Sequence, residues 1–369
     1  MTSETIEAEV ASRLLSLLRI ELRKPDLAYA ELPTRVTGGF DTMIYAFRLR
    51  GAAEEWSGPL ILRVFRQHND PVQARQESAV QATLAQLGYP APGVLLTCED
   101  TDAFGGAFIV MERLTGRMML ADVFKPSRLY FLLPRILIEV PRILAETQAR
   151  LHALDPEPLL RAFDGIDLPA DGAGPRGISG RMSSVEGQLE HMQRRIDAAG
   201  LDGLKPGLKW LREHRPPEPE QRVICHGDFH PLNILMKGGA VTGVVDWAMT
   251  TVADPAFDVG NTRLLLEMAP LEFPLAVEWI ASVARPLLAR RYYDAYRRHR
   301  GVDPNAVRYY EAMRCPTELV VVGERRLADA GLIEPRSGPN LWGASRPRNR
   351  LMSRFREITG IALTLPAGP

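Results

Sequence analysis

The 369-residue sequence has only three cysteines, Cys98, Cys225 and Cys315, and their odd number and scattered positions argue against a disulfide framework. None of them stands at metal-ligand spacing from another, so no zinc site is expected. A reducing cytoplasm suits such a chain. Net charge is missing too: 45 Lys plus Arg balance 45 Asp plus Glu, so no global field attracts nucleic acid or an anionic membrane. Neither is expected as a partner. Met1 to Val10 carries Glu4, Glu7 and Glu9 where a signal peptide needs a basic start and an apolar run, so export by that route is not expected. The most apolar stretch, Leu129 to Leu144, is interrupted by Pro134, Arg135, Glu139, Pro141 and Arg142. It is too short and too charged to span a bilayer and reads as a buried, kinked helical segment. What is present, 46% hydrophobic and 24% charged residues, is the composition of a globular protein.

Val10, Leu14, Leu17 and Leu18 recur at helical spacing, which predicts an N-terminal amphipathic helix ending before Pro25. From Thr34 the period changes. Val36, the pair Gly38-Gly39, and then Met43, Tyr45, Phe47 and Leu49 in alternation read as strand, glycine turn and strand. Pro59 to Phe65 is a third strand, apolar except for Arg63, and Gln73 to Leu87 follows as a helix. Strands at Gly93 to Leu96 and Ala107 to Met111 complete an antiparallel β unit with one inserted helix. Beyond Thr115 the pattern is mostly helical. The expected organisation is therefore an α+β chain with an N-terminal helical segment (1–35), a small mixed lobe (36–115) and a large helical lobe (116–369).

The segment that carries chemistry runs from Val223 to Val259. It contains His226-Gly227-Asp228, Asn233 five positions after Asp228, and Asp246 at the end of an apolar strand. Ile234 to Lys237 and Ala240 to Val245 are strand-like, and Gly238-Gly239 between them is a strong two-residue hairpin turn. In that hairpin Asn233 lies opposite Val244, and Asp246 is two residues further on, about 7 Å at ~3.3 Å per residue. An amide oxygen and a carboxylate so placed suit Mg²⁺, a hard cation that completes its shell with water and phosphate oxygens. Asp228, on the loop feeding the hairpin, can accept or orient the proton of an attacking hydroxyl.

The order His226, Asp228, Asn233, hairpin, Asp246, then Asp254-Pro255 and Asp258 resembles the aminoglycoside phosphotransferase family, distant relatives of the protein kinases. The resemblance implies a two-lobed protein-kinase-like fold. It implies an O-kinase that moves the γ-phosphate of ATP or GTP to a hydroxyl of a small molecule, with Asp228 as catalytic base and Asn233 and Asp246 holding Mg²⁺. His226 and Asp258 would brace the catalytic loop (226–233). In the kinase pattern a strand lysine pairs with a helix glutamate over the nucleotide phosphates. Here Arg63 stands in the lysine's place, with Glu77 as its natural partner, since a charge inside an apolar strand needs one. Gly38 and Gly39 could let backbone N–H groups approach a phosphate. Phe108 to Leu114 resembles the interlobe hinge, with backbone groups near Glu112 and Leu114 meeting a purine edge. Trp247 and Ala248 follow Asp246 instead of the Phe-Gly of protein kinases, so no mobile activation switch is expected. The alternatives are a protein kinase, or an inactive nucleotide-binding relative.

Residues 281 to 369 hold sixteen Arg, no Lys and eight acids, a local excess of eight positive charges. That is the wrong sign for a polycationic aminoglycoside, which needs carboxylate partners. Either many of these arginines are solvated or bridge to acids elsewhere, or some of Arg314, Arg325, Arg326 and Arg346 to Arg350 grip an acceptor bearing a carboxylate, a phosphate or a coenzyme A group. An antibiotic-resistance kinase and a metabolite or hydroxyacyl kinase both stay open, as does the oligomeric state.

Overall fold

A computed structural model describes residues 3–36, 42–65, 70–121, 126–164, 166, 184–270, 275–333 and 342–366. In chain order the elements are α1 (Ser3–Glu21), β1 (Ala28–Arg35), β2 (Thr42–Arg50), β3 (Pro59–Phe65), α2 (Asp70–Gln86), β4 (Val94–Cys98), β5 (Phe108–Glu112), β6 (Arg117–Met118), α3 (Pro126–His152) and α4 (Glu157–Phe163). They continue with α5 (Val185–Ala198), α6 (Lys205–Glu213), β7 (Val223–Cys225), β8 (Ile234–Lys237), β9 (Ala240–Val244), β10 (Thr251–Ala253), α7 (Pro255–Met268), α8 (Leu275–His299), α9 (Pro304–Asp329) and α10 (Ser345–Thr359). The chain forms two compact units: Met1–Arg117 with Glu157–Pro175 and Leu235–Ala248, and Met118–Pro156 with Arg176–Ile234 and Met249–Pro369.

The first unit is built on a five-stranded sheet of order β1-β2-β3-β5-β4, with every neighbouring pair antiparallel. Side chains alternate across a strand, and β3 shows the consequence. Leu60, Leu62 and Val64 join Leu14 and Leu18 of α1, Phe47, Phe108 and Val110 in one core. Phe65 faces the other way, onto Ala74 of α2 and Ile109. Arg63 shares that face, and so it meets α2. The first strand occupies 28–35, ahead of the expected start at Thr34. It is an edge strand pairing only with β2, and its irregular register, the exposed Leu32 and the buried Pro33 leave no alternation to read. Gly38 and Gly39 lie outside the described residues.

The second unit is helical. It joins α3 to α8, α8 to α7, α7 to α9, and α9 to α10 and α6, with β7 and β10 as a short antiparallel pair. The segment Leu129 to Leu144 is helical, as expected: α3 runs through Pro134 and Pro141, burying Val140, Ile143 and Leu144 while Ile138, 65% exposed, faces solvent. Arg135 and Glu139 on that side form an i,i+4 ion pair. No helix among the described residues is long and apolar enough to cross a membrane.

Candidate active site

In the second unit residues 226–228, the candidate catalytic-loop residues, are hung from the start of α7. Asp254 caps that helix, its Oδ1 accepting from the N–H of Ala256 at 2.8 Å, with Pro255 in the first helical position. Asp258, one turn in and fully buried, accepts from the backbone N–H of Gly227 at 2.8 Å and of His226 at 2.9 Å. Its Oδ2 also meets Nε2 of His152 at 3.1 Å, while Nδ1 of His152 lies 2.7 Å from the Tyr296 hydroxyl. A carboxylate can only accept, so Nε2 of His152 carries the proton and Nδ1 receives the tyrosine's. Burial opposes the charge on Asp258, but the His152 hydrogen bond and these N–H groups outweigh it and hold the carboxyl below the usual range. Cys225 completes a buried cluster with His152 and Asp258. Its thiol is directed at the Val223 and Asp254 carbonyls, and burial holds it well above its ordinary value.

The brace sets Gly227 in the left-handed region, φ +80°, where a Cβ would collide with the backbone of Met249. Asp228 comes next, with about a quarter of its side chain exposed. Its backbone N–H donates to Nδ1 of His226 at 3.3 Å. The carboxylate is held from both ends: Nη2 of Arg314 donates to Oδ1 at 3.1 Å, and Nε2 of His230 lies 3.4 Å from Oδ2. His230 is fixed in turn because its Nδ1 accepts from the N–H of Leu232 as the cap of the turn 231–233. Burial works against the Asp228 charge, yet the His230 hydrogen bond and the Arg314 charge win and hold the carboxyl well below the usual range. Nδ2 of Asn233 donates to the Asp228 carbonyl at 3.0 Å, which orients the amide and leaves Oδ1 as its acceptor.

Arg314 was a candidate for gripping an anionic acceptor. In the structure its guanidinium is committed elsewhere, to the Gly227 carbonyl at 3.0 Å, to Asp228, and to Glu318 at 2.6 Å. The other arginines of this stretch follow suit. Arg285 and Arg350 pair with Glu278, Arg354 with Glu267, Glu311 and Glu357, Arg326 bonds the Pro366 carbonyl and Arg348 the Gly343 carbonyl. The acids outside this stretch that enter these pairs are Asp228, Glu267 and Glu278, so the named arginines are engaged while part of the local positive excess remains. His152, Tyr296 and Arg314 escaped the sequence reading as parts of this constellation. They lie 106, 144 and 86 residues from the groups they serve, Asp258, His152 and Asp228, and the one local signal was an arginine in the stretch Ala312 to Leu319 with Glu318 four positions on.

The first unit holds the nucleotide-side candidates. Arg63 and Glu77 form a two-pronged ion pair, Nη1 to Oε2 at 2.5 Å and Nη2 to Oε1 at 3.4 Å, with Glu77 only 2% exposed. Gln73 adds a hydrogen bond to Glu77 at 3.0 Å. Burial raises the Glu77 carboxyl, Arg63 opposes that, and the Asp246 charge adds to the rise. Arg63, Glu77 and Asp246 are thus within electrostatic reach of one another. The Nε–H of Arg63 is buried without a hydrogen-bond partner, a donor available to an incoming oxygen. Gly238 and Gly239 both have positive φ, +60° and +86°, as a primed hairpin turn requires. Asp246 is exposed and has φ +68°. Such a backbone costs a non-glycine residue about 1 kcal/mol and is kept where its surroundings enforce it. Trp247 supplies that enforcement: its buried indole donates to the Val244 carbonyl at 3.0 Å and meets Tyr89 edge-on. Glu112 ends β5, its N–H donating to the Gly93 carbonyl. Leu114 packs against Gly243 so closely that a side chain there would collide with it.

The sequence and fold were compared with those of known proteins. The phosphotransferase enzyme family matches residues 34–302. An aminoglycoside 3'-phosphotransferase of Streptomyces fradiae is 29% identical over 233 residues, 62% of this chain and 74% of that protein. Acyl-CoA dehydrogenase family member 11 of Gallus gallus is 30% identical over 195 residues, 50% of this chain but 22% of that protein. The chain thus spans under a third of the length of the acyl-CoA dehydrogenase relatives it matches. Among solved structures, a Ralstonia eutropha JMP134 protein provisionally assigned to the aminoglycoside phosphotransferases superposes with TM-score 0.65 at 19% identity, covering 96% of this chain and 99% of that one. A thermostable mutant of the aminoglycoside phosphotransferase APH(4)-Ia, in ternary complex with ADP and hygromycin B, gives TM-score 0.56 at 17% identity over 94% and 98% of the two chains. The antiparallel sheet with its inserted helix and the helical second unit are therefore those of a kinase-like α+β fold, and the chain belongs to the phosphotransferase enzyme family.

Proposed function

We propose that the protein is an O-kinase that transfers the γ-phosphoryl group of ATP or GTP to a hydroxyl of a small molecule, with Asp228 as the catalytic carboxylate. The observation that carries this reading is the way Asp228 is held. Arg314 fixes one oxygen, His230 the other, and the backbone is pinned through Gly227 to Asp258. Positioning of this kind is most of what a protein contributes to phosphoryl transfer, where the transition state is loose and little covalent chemistry is needed.

In the proposed reaction the acceptor oxygen attacks the γ-phosphorus. The bond from that phosphorus to the β–γ bridging oxygen breaks, and the nucleoside diphosphate leaves with the electron pair. The hydroxyl proton passes to Asp228 and then to solvent. A carboxyl held well below the usual range is a weak base, so Asp228 orients the hydroxyl first and takes the proton late, once the new oxygen–phosphorus bond has made it acidic. Asn233 Oδ1 and Asp246, both hard oxygen donors, suit Mg²⁺, which when bound neutralises charge on the phosphates. Arg63, aligned by Glu77 and with its Nε–H unsatisfied, is the group proposed to meet those phosphates. The backbone groups at Glu112 and Leu114 are proposed for the purine edge, and Gly38 and Gly39 for the phosphates.

The test is nucleoside diphosphate release that depends on an acceptor, measured for the wild type and for Asp228→Asn, a nearly isosteric change. A positioned base is commonly worth about 10² to 10⁴ in rate, so the variant is expected to lose that much while retaining nucleotide affinity. Near-normal turnover in Asp228→Asn would remove Asp228 from the role.

A further inference from the structure

The second unit carries a small open cleft of about 80 Å³. Its wall is built from three methionines, Met192, Met249 and Met313, together with Phe257, Tyr310 and Val320. Among the described residues that line it there is no Asp or Glu. The two arginines among them are already neutralised. Arg195 grips Glu324 through Nε at 2.9 Å and Nη2 at 2.6 Å, and Arg314 lies between Asp228 and Glu318. The cleft therefore offers neither carboxylates for a polycation nor an uncommitted guanidinium for a polyanion.

Its position is equally specific. Three of its lining residues also touch the Gly227–Asp228 step: Met249 closes over Gly227, Nδ2 of Asn261 lies 3.4 Å from the Gly227 carbonyl, and Arg314 holds both that carbonyl and the Asp228 carboxylate. A molecule seated in the cleft is thus beside the reactive carboxylate. Unbranched thioether side chains adapt to irregular apolar shapes. A polycationic sugar in the same place would lose water from its ammonium groups and find no partner for them.

Resting on the kinase reading of Asp228, we propose that this cleft is the acceptor site and that the acceptor is an alcohol carried on a neutral, largely apolar skeleton. The half-buried Thr317 supplies the test. It lines the cleft, and its hydroxyl does no more than bond back to the Met313 carbonyl within α9 at 2.9 Å. Binding of decan-1-ol and of kanamycin is measured by titration calorimetry on the full chain, together with ADP release from Mg·ATP in the presence of each. Decan-1-ol is expected to bind and to raise ADP release, and kanamycin to do neither. Thr317→Asp, which places a carboxylate in the cleft, is expected to weaken decan-1-ol binding by about tenfold, since an apolar ligand must strip water from the new charge. Thermal unfolding of Thr317→Asp, with a midpoint within a few degrees of the wild type, is expected to show that the variant is folded when its affinity is read. The proposal is overturned if kanamycin binds more tightly than decan-1-ol, if decan-1-ol does not bind, if it binds without raising ADP release while Mg·ATP is bound, or if Thr317→Asp leaves its affinity unchanged. Failure of the kinase reading shows separately, as absence of Mg·ATP binding in a titration without any alcohol.

Discussion

The brace under the catalytic loop can be tested by one atom's worth of change. Asp258 is fully buried and accepts three hydrogen bonds, from the N–H groups of Gly227 and His226 and from Nε2 of His152. Asp258→Asn keeps the shape but replaces one acceptor oxygen with a donor. With the new amide nitrogen toward Gly227, one N–H faces another donor; turned the other way, two do. The milder orientation loses a charge-assisted bond, about 1.5 to 3 kcal/mol, and strands a buried N–H at a further 1 to 3 kcal/mol. The expected cost is about 3 to 5 kcal/mol, in line with breaking a buried charged pair. Asp254→Asn, four residues earlier, is the internal control: it caps α7 through one oxygen, and asparagine caps as well as aspartate, so a few tenths of a kcal/mol are expected. Urea unfolding followed by a probe of the second unit measures both variants. Amide hydrogen exchange at His226 and Gly227 should accelerate in Asp258→Asn and not in Asp254→Asn. If the two variants are equally stable to within about 0.5 kcal/mol, the three-donor geometry around Asp258 is wrong.

Asp246→Asn should weaken binding of Mg·nucleotide by about tenfold or more while leaving metal-free nucleotide nearly unaffected, and equal losses by calorimetry with and without Mg²⁺ would contradict its assignment. Arg63→Ala and Glu77→Ala should each raise the nucleotide KM and lower kcat, and a double-mutant cycle should show coupling of about 0.5 to 3 kcal/mol. Multiplying losses would mean that the pair does not act as a unit. For pH, Asp228 is held below its ordinary carboxyl value, so its stabilising contribution is fully present above about pH 4 and is lost only as pH falls toward the folded value. The rate profile should accordingly show no inflection from Asp228 between pH 5 and 8. Arg314→Met, which removes the cation from Oδ1, should move that inflection upward, and an unchanged acid limb would exclude Arg314 as a positioning residue.

Much of the site was legible because it is local in the chain. The Gly238-Gly239 turn, the strands around it and the spacing from Asp228 through Asn233 to Asp246 are all set by short-range chemistry, and so are β3 and α2, where one arginine on the face of a strand asks for one acid on the next helix. The strand β1 was placed too late because an edge strand with one partner and a bulged register need not alternate. The run through Pro134 and Pro141 read as a kinked helix because proline removes a hydrogen bond locally, and in the structure the helix α3 spans both prolines and packs on α8. The brace partners His152 and Tyr296 were invisible for a different reason. Each sits in a helix whose apolar pattern would be the same without it, and only the fold brings them to Asp258. Arg314 was noticed but read as facing outward to a ligand, because charge counted along the chain does not reveal which acids lie across the core.

The peptide between Gly227 and Asp228 is gripped on several sides. Its carbonyl accepts from Arg314 and Asn261, the N–H of Gly227 is tied to Asp258, and Met249 stands where any side chain would have to go. A glycine is usually valued for freedom, but here it is present because nothing larger fits, and the freedom has been removed by its neighbours. Asp228, the carboxylate proposed as catalytic, follows directly on this held peptide and is itself fixed by Arg314 and His230. If that proposal holds, rate enhancement by directed evolution should come from the walls of the cleft, which can vary, and not from Gly227, where any side chain meets Met249.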